Sequence, residues 1–278
     1  MLTVATKEKK DTRPVEHIGM FSGGKDSLVA CHYADVQEVI YCKTGIGLPE
    51  NEQFVAEQCA KYGWKLHVLT PKEGNSYEDF IERFGFPKPR IHAAVMSYLK
   101  WFPLRKWARE NAHRNIVFVT GRRSKESKRR MQVTGREKSK GGELVKVEKN
   151  ITCYAPLLDW STEQVWRYIK ENNMDVCPVY QTLHLSGDCL CGAFAGIGES
   201  DLIATFYPQM AERIKTLEEK TEENFRCYLK GQPSKTRIGL RREMRRWGKG
   251  EGHSMSMALK QDKIESFVCS DCLYDSNM

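Results

Sequence analysis

Short apolar runs alternate along the chain with longer segments whose apolar residues recur at helical spacing. The strand-like runs are HIGMF at 17–21, EVIY at 38–41, KLHVL at 65–69 and NIVFVTG at 115–121. The segment 49–63, between the second and third runs, has its apolar residues at helix intervals and ends near Gly63. Strands that alternate with helices predict an α/β fold, with a mainly parallel sheet of five or six strands covered by helices on both faces.

The pattern changes in the second half of the chain. Ser161 and Gln164 form a capping box ahead of a helical segment. The predicted buried face of that helix consists of Val165, Trp166 and Ile169. Beyond residue 200 the apolar positions are spaced three and four apart, as in Met210, Ile214 and Leu217. We therefore predict two domains: an α/β domain at 1–195 and a mainly helical, basic C-terminal region at 196–278.

The composition is that of a folded, water-soluble protein rather than of a disordered or membrane-spanning one. Of the 278 residues, 40% are apolar and 10% aromatic, and no apolar run approaches the roughly 18 residues that would span a bilayer. The first residues, MLTVATKEKKDTRP, lack the apolar core of a secretory signal, so we expect a cytoplasmic protein without a membrane partner. Thiols stay reduced there, so the ten cysteines indicate metal, cluster or redox chemistry, unless they are simply small buried residues.

Positive charge is concentrated in two segments of a chain whose net charge is +8. Residues 122–149 contain eleven basic and four acidic residues, a net +7 without apolar periodicity, which predicts an exposed loop or β-hairpin. Residues 235–249 contain seven basic residues and one acidic residue, with the arginines at helical spacing. Both segments suit an anionic partner such as a nucleotide or nucleic acid, and the alternative is a solvated surface.

Six residues between the first strand and the first helix form a candidate phosphate-binding loop. In Ser22-Gly23-Gly24-Lys25-Asp26-Ser27, two glycines let backbone N–H groups approach a phosphate, and the helix N-terminus adds its positive dipole end. The loop is not that of the ordinary P-loop ATPases, because Asp26 stands where that motif requires a serine or threonine to meet magnesium.

The SGGKDS sequence resembles the loop of the PP-loop ATP pyrophosphatases, the adenine nucleotide α-hydrolase group. The resemblance implies that an acceptor attacks the α-phosphorus of ATP while the loop binds the pyrophosphate part. The residues that would bind it are Ser22, Gly23, Gly24, Lys25, Asp26 and Ser27. Lys25 and Asp26 would be catalytic, Lys25 by stabilising the departing pyrophosphate and Asp26 by orienting Mg²⁺ or the loop. The group's α/β fold is implied as well, followed here by a helical extension.

Segments further along the chain resemble the sulfonucleotide reductase branch of this group, the phosphoadenosine phosphosulfate (PAPS) reductase-like proteins. They are VTGRRSKESKRR at 119–130, APLLDW at 155–160 and CPVY at 177–180. By position, the resemblance adds the nucleotide-binding residues Thr44, Gly45, Gly121, Arg122, Arg123 and Arg129. Arginine suits this role because its guanidinium group forks onto phosphate or sulfate oxygens.

Three departures separate the chain from the true sulfonucleotide reductases. Lys43 replaces the aspartate that usually precedes the Thr-Gly turn, and no two cysteines are adjacent. The C-terminal Glu-Cys-Gly segment that carries the attacking thiol in those enzymes does not occur in this sequence. Reduction of a sulfonucleotide to sulfite would therefore lack its expected nucleophile.

Four cysteines in two close pairs are candidate metal ligands. They are Cys189 and Cys191 in GDCLCG, and Cys269 and Cys272 in the tail, with Cys177 as a replacement for one of them. Two pairs of thiolates supply the four ligands that tetrahedral zinc or a 4Fe-4S iron–sulfur cluster requires. The sulfur chemistry of the resembled family favours the 4Fe-4S cluster over zinc. The alternative is that these thiols are buried and bind nothing.

The sequence as a whole predicts an ATP pyrophosphatase that adenylates an acceptor, so that a sulfur donor displaces AMP. The resemblance implies nucleic acid as the acceptor, as in DNA phosphorothioation or tRNA thiolation. Its cofactors would be ATP, Mg²⁺ and an iron–sulfur cluster, and its sulfur donor a partner such as a cysteine desulfurase. The alternatives are assimilatory reduction of a sulfonucleotide, a non-catalytic nucleotide-binding module and a zinc-bearing DNA-binding protein. The oligomeric state is open.

Overall fold

The computed structural model describes residues 12–87, 92–124, 144–148, 150–192 and 198–230. The strands are β1 (Val15–Met20), β2 (Glu38–Cys42), β3 (Lys65–Leu69), β4 (Asn115–Val119), β5 (Leu144–Glu148) and β6 (Ile151–Tyr154). They form one six-stranded sheet in the order β3-β2-β1-β4-β6-β5. All neighbouring pairs are parallel except β5 and β6, which pair antiparallel at one edge. The prediction of an α/β fold with a mainly parallel sheet is confirmed.

Helices connect the strands and flank the sheet. They are α1 (Lys25–Tyr33), α2 (Pro49–Tyr62), α3 (Tyr77–Phe84), α4 (His92–Met96), a π-helical turn (Ser97–Trp101), α5 (Phe102–Glu110), α6 (Thr162–Glu171), α7 (Val179–Leu183), α8 (Glu199–Phe206) and α9 (Pro208–Lys230). The predicted capping box is present, since the backbone N–H of Gln164 donates to the Ser161 hydroxyl at the start of α6. Gly63 ends α2 in the left-handed conformation, as its position in the sequence indicates.

Two apolar layers lie on opposite faces of the sheet. Successive residues of a strand point to opposite faces, so Val39 and Val119 belong to the larger layer, whereas Ile40 and Phe118 belong to the smaller one. None of these four side chains is more than 1% exposed. Burial on both faces explains why the central strands read as continuous apolar runs rather than as alternating ones.

The long helix α9 packs against α3. Its predicted apolar stripe is buried and consists of Met210, Ile214 and Leu217. Ion pairs join Arg213 to Glu78 and Lys220 to Glu82 across this contact. The division of the chain at residue 195 stays a prediction.

Only part of the first basic segment can be compared with its prediction. Residues 144–148 form β5 and pair with β6, which fits the hairpin alternative for this part of the segment. Residues 235–249, the second basic segment, lie outside the described residues. Within the described residues, no helix combines the length and the apolar character needed to cross a lipid bilayer.

Candidate active site at the phosphate loop

The SGGKDS loop lies at the point where the strand order reverses. The chain runs from β1 outward through β2 and β3, and then returns to the other side of β1 with β4. In open parallel sheets such a reversal leaves a crevice at the carboxyl ends of the two strands, where ligands bind. The loop follows β1 and the segment Gly121–Ser124 follows β4, so both lie at this crevice.

The backbone of the loop is shaped to receive an anion. Gly23 has a φ of +85°, and a Cβ on it would lie 2.1 Å from the Asn51 side chain, so glycine is required there. Gly24 is the N-cap of α1 and provides no side-chain cap. Among the described residues, hydrogen bonds use the amide of Ser22 but not those of Gly23 and Gly24. The positive end of α1 therefore points uncapped donors at the crevice.

Side chains beneath the loop fix its conformation. The Ser27 hydroxyl donates to the Gly24 carbonyl at 2.8 Å and accepts from the Ser22 amide at 3.3 Å. Asn51 of α2, fully buried, donates to the Ser22 carbonyl at 3.0 Å. The two serines that the resemblance names as ATP ligands are thus also the residues that hold the loop in shape.

Asp26 and Arg123 form a buried ion pair that joins the two sides of the crevice. Arg123 Nε lies 3.1 Å from Asp26 Oδ1, and a terminal guanidinium nitrogen donates to Oδ2 at 3.2 Å. Arg123 is 2% exposed and donates also to Thr162, the first residue of α6, at 3.3 Å. The close approach requires Gly121, since a Cβ there would lie 2.5 Å from the backbone of Asp26.

This ion pair differs from the roles that the sequence predicts for its members. Asp26 is predicted to orient Mg²⁺ or the loop, and its carboxylate holds the loop's first helical turn to the segment after β4. Arg123 is predicted to bind the nucleotide, and its buried guanidinium group donates to Asp26 and Thr162. Arg122 is partly exposed at the same edge and remains the better placed of the two arginines for a ligand.

The Lys25 side chain turns toward two aromatic rings. Its Nζ atom lies 4.9 Å from the ring centroid of Tyr180 and 5.9 Å from that of Trp166. On the predicted buried face of α6, Val165 and Ile169 are buried, and Trp166 is partly buried and packs against the same core. A lysine at the first position of α1 can reach a phosphate on the loop once it leaves these rings.

The turn after β2 is tied to the GDCLCG segment. The Thr44 hydroxyl donates to the Asp188 carbonyl at 2.9 Å, and Thr44 is buried. Gly47 lets the two segments touch, because a Cβ on it would lie 2.6 Å from the same carbonyl. Of the two predicted nucleotide-binding residues in this turn, Thr44 therefore has a structural contact and Gly45 is exposed.

Thiols and a buried ion pair meet beneath the GDCLCG segment. The hydrogen bond between Cys189 and Cys191, together with burial, raises the pKa of Cys189. Lys100, from the π-helical turn, forms an ion pair with Asp188, which is 2% exposed. Burial raises the pKa of the Cys42 thiol to about 12, with Lys100 lowering it and Asp188 raising it. The Cys189 and Cys42 thiols are therefore protonated at neutral pH.

The described residues contain one half of the predicted metal site. The thiols of Cys189 and Cys191 are in contact and could supply two sulfur ligands. The sulfur of Cys177 lies 3.7 Å from Oδ1 of the Asn51 side chain and 4.0 Å from the backbone carbonyl oxygen of Ser186. Three predicted site residues lie outside the described residues: Arg129, Cys269 and Cys272. In the part of the chain that the structure describes, no three His, Cys, Asp or Glu side chains are grouped to hold a metal ion.

Sequence reasoning missed three polar residues that build this site, of which Asn51 and Asp188 are buried and Lys100 is partly buried. Asn51 supports the loop, and Lys100 and Asp188 form the ion pair beneath the thiols. Asn51 stands in the first turn of α2, where a polar residue is ordinary, so the sequence carries no signal for it. Asp188 stands between Gly187 and Cys189, and an acidic residue inside a predicted ligand turn is a signal that could have been used.

The sheet order, the uncapped glycine loop and its place at the crevice define a nucleotide-binding protein of the PP-loop, adenine nucleotide α-hydrolase-like superfamily. Within it, the chain belongs to the phosphoadenosine phosphosulfate reductase domain family, whose sequence profile matches residues 16–201. The resemblance inferred from the motifs is confirmed.

Relatives of the chain include a protein without an assigned function and a reductase. The chain is 30% identical over 171 residues to an uncharacterized protein of Methanocaldococcus jannaschii; the matched region is 60% of this chain and 38% of that protein. The chain is 23% identical over 186 residues to the phosphoadenosine 5'-phosphosulfate reductase of Vibrio vulnificus; here the matched region is 66% of this chain and 64% of that enzyme. The chain thus spans less than two thirds of either relative.

Solved structures similar to the chain include a reductase and a thiolase. The phosphoadenylyl-sulfate reductase of Candida auris, in a phosphate complex, is 20% identical, with a TM-score of 0.43 over 61% of this chain and 78% of that one. The U34-tRNA thiolase of Methanococcus maripaludis, with its 4Fe-4S cluster, is 13% identical, with a TM-score of 0.43 over 77% of this chain and 73% of that one.

Proposed function

We propose that the protein is an ATP pyrophosphatase that adenylates a nucleic acid acceptor for sulfur transfer. The β- and γ-phosphates of ATP bind the loop while an acceptor oxygen attacks the α-phosphorus. A bond forms between acceptor and AMP, the bond between the α-phosphorus and its bridging oxygen breaks, and pyrophosphate leaves. A dithiol reductant, oxidised to its disulfide, releases hydrosulfide from the persulfide of a donor such as a cysteine desulfurase. The hydrosulfide sulfur then attacks the activated atom and loses its proton, and AMP leaves with the oxygen.

The observation that carries the proposal is the uncapped start of α1. The amides of Gly23 and Gly24 and the first turn of α1 point donors into a crevice at the strand reversal. Charge that develops on a departing pyrophosphate is stabilised by such preorganised donors, and the ammonium group of Lys25 adds a full positive charge. Mg²⁺ would neutralise part of the remaining phosphate charge.

The distribution of charge supports an acceptor with phosphates of its own. Arg122, partly exposed beside the loop, begins the segment 122–149 with its net charge of +7. Basic side chains contact the nucleic acid backbone and release its counterions, so binding weakens steeply as salt rises. A basic segment that starts at the catalytic crevice can hold such an acceptor at the α-phosphorus.

An iron–sulfur cluster fits the proposal through the thiol pair. Cys189 and Cys191 would be two of its ligands and Cys269 and Cys272 the other two, with zinc as the alternative occupant. A 4Fe-4S cluster with four cysteine ligands would have no open iron, so it would take up sulfide only where one of these thiols leaves its iron. The segment that carries the first pair is held to the turn after β2 by the hydrogen bond from Thr44 to the Asp188 carbonyl, and to the π-helical turn by the Lys100–Asp188 ion pair.

The experiment measures the products of ATP with the full chain, sulfide, and either single-stranded DNA or tRNA. We expect AMP and pyrophosphate only when the acceptor is present, and no release with Lys25→Ala. Lys106→Ala, an exposed lysine on α5, is the matched control and should behave as wild type. Formation of ADP and phosphate, or full activity of Lys25→Ala, would contradict the proposal.

A second candidate is reduction of a sulfonucleotide, which the family membership and the Vibrio vulnificus relative favour. The same protein incubated with a sulfonucleotide and reduced thioredoxin would then yield sulfite without ATP. Sulfite formation, combined with the absence of pyrophosphate release, would replace the first proposal by the second.

A further inference from the structure

Three aromatic rings lie beside the phosphate loop and have no part in its conformation. Trp166 of α6 and Tyr180 of α7 have ring centroids 5.8 Å apart, with an angle of 59° between the rings. His184, just after α7, adds a ring 6.2 Å from Tyr180 at 85°. Trp166 and Tyr180 are partly exposed and His184 is exposed. We name these three residues the aromatic platform.

Lys25 connects the aromatic platform to the loop. Its ammonium group lies over the Tyr180 ring at 4.9 Å and near Trp166 at 5.9 Å. A cation over a ring is held weakly at an exposed site and more strongly when it is desolvated. Charge-assisted hydrogen bonds to phosphate oxygens are among the strongest that a lysine forms. A polyphosphate on the loop therefore draws Lys25 away from the rings and uncovers them.

We propose that the aromatic platform stacks a base of the single-stranded nucleic acid acceptor, and that the platform opens when ATP draws Lys25 onto its phosphates. The inference rests on the proposed function, because it takes nucleic acid as the acceptor. It implies that ATP binds first and the acceptor second. It also implies that the stacked base lies beside the phosphate loop.

The platform is anchored to the same elements that build the loop. Thr162, one turn before Trp166 on α6, accepts a hydrogen bond from Arg123, whose partner is Asp26 of α1. Helix α7 is held by buried residues on either side of Tyr180, namely Val179 and Leu183. The ring positions are thereby fixed relative to the phosphate loop, as a positioning site requires.

A nucleobase suits this platform better than other planar or charged groups. Bases stack on aromatic side chains irrespective of sequence, and truncation of the ring to alanine weakens binding by about one to two orders of magnitude for each stacked base. The flanking sugar–phosphate is anionic, and the partly exposed Arg122 supplies a cation at the same crevice once Lys25 is engaged by ATP. Rings for the base and cations for the backbone are the two components of a single-strand binding site.

The experiment measures, by fluorescence anisotropy, the affinity of the full chain for two labelled single strands of equal length. One strand carries bases, and the other is abasic throughout and so keeps only the charge. Both are titrated with and without a non-hydrolysable ATP analogue, against wild type, Tyr180→Ala, Tyr180→Phe and Tyr33→Ala. Tyr33 is the matched control, because it is an exposed tyrosine on α1 that packs against Trp160 and Tyr168.

We expect the ATP analogue to strengthen binding of the strand with bases, and Tyr180→Ala to weaken that binding by about tenfold. Tyr180→Phe keeps the ring and should bind as wild type, and Tyr33→Ala should change nothing. Abasic binding should be the same for wild type and Tyr180→Ala. In Lys25→Met, the strand with bases should bind equally with and without the analogue, since the rings are already uncovered.

If Tyr180→Ala lowers the affinity for both nucleic acid strands equally, or for neither, the stacking inference is overturned. It is also overturned if Tyr33→Ala and Tyr180→Ala lower the affinity for the strand with bases equally. These outcomes are separate from failure of the proposed function, which appears as the absence of AMP and pyrophosphate in the product assay. A protein that releases pyrophosphate but ignores Tyr180→Ala keeps its proposed function and loses the platform.

Discussion

The carboxylate of Asp26 and the guanidinium group of Arg123 lie in contact beneath the phosphate loop, with Nε 3.1 Å from Oδ1. The pair links the first turn of α1 to the segment that follows β4; the Arg123 side chain is 3% exposed and that of Asp26 15%. Because the guanidinium group is so little exposed, it depends on Asp26 for a compensating charge, and Thr162 accepts one further hydrogen bond from it. The pair therefore governs whether the crevice keeps its shape.

Breaking this pair by removing one partner should be costly. In Asp26→Ala the guanidinium group of Arg123 is left buried and uncompensated, so we expect a loss of about 3–5 kcal/mol in the free energy of unfolding, measured in urea. The double variant Asp26→Ala/Arg123→Ala should lose less than the sum of the two single losses. Glu110→Ala, from an exposed ion pair on α5, is the control and should change little. Additive losses at the first pair would show that the contact is not energetically coupled.

Gly121 should not tolerate alanine, because the added Cβ would lie 2.5 Å from the backbone of Asp26. We expect Gly121→Ala to lower the free energy of unfolding by about 1–3 kcal/mol and to weaken ATP binding measured by calorimetry. Gly24→Ala is the comparison: its Cβ would make ordinary contacts, the nearest 3.4 Å from the Ser186 side chain, and φ at the N-cap is −75°. Its stability should fall by less than about 1 kcal/mol. A larger loss at Gly24 than at Gly121 would contradict the geometry.

Stability should fall on the alkaline side because of Cys42. Burial raises the pKa of this thiol to about 12, whereas the unfolded chain loses the proton near pH 8.5. The stabilisation is complete below the unfolded pKa and declines as pH rises through that value toward the folded pKa. Between about pH 7.5 and 9.5, the free energy of unfolding of the wild type, measured in urea, should fall by on the order of 1 kcal/mol more than that of Cys42→Val. If the free energy of unfolding depends on pH identically in the two proteins, Cys42 is not the cause.

Metal binding should depend on the thiol pair. After anaerobic purification we expect iron and sulfide in the full chain, and their loss in Cys189→Ser and Cys191→Ser. Cys153→Ser, a partly buried cysteine on β6, is the matched control and should retain the metal. Zinc in place of iron would favour the alternative occupant. A fully active protein without either metal would contradict the proposed site.

The fold could be predicted because its signals are local. Apolar runs, the capping box before α6 and the glycine stop of α2 each lie within a few residues of the element that they specify. The loop was predictable for the same reason, since Gly23 and Gly24 stand directly between a strand and a helix. Local patterns of this kind survive without knowledge of tertiary contacts.

Contacts between distant segments could not be predicted. Arg123 finds Asp26 only because β4 returns beside β1, and Lys100 finds Asp188 across 88 positions of sequence. The contact between Lys25 and Trp166 is of the same kind. Helical periodicity predicts that Trp166 packs against the core, as it does, but not that Lys25 lies 5.9 Å from its ring.

Helix α9 has a practical consequence for any shortened version of the chain. Its apolar stripe shares one core with Tyr77, and the Tyr77 hydroxyl donates to the Cys191 carbonyl at 2.9 Å. A truncated protein that stopped at residue 195 would lack α9, so the apolar surface that α9 covers would be exposed to solvent. The backbone of Cys191, a candidate metal ligand, would also be less firmly held. Expression trials that aim at a minimal soluble fragment should therefore extend past Lys220.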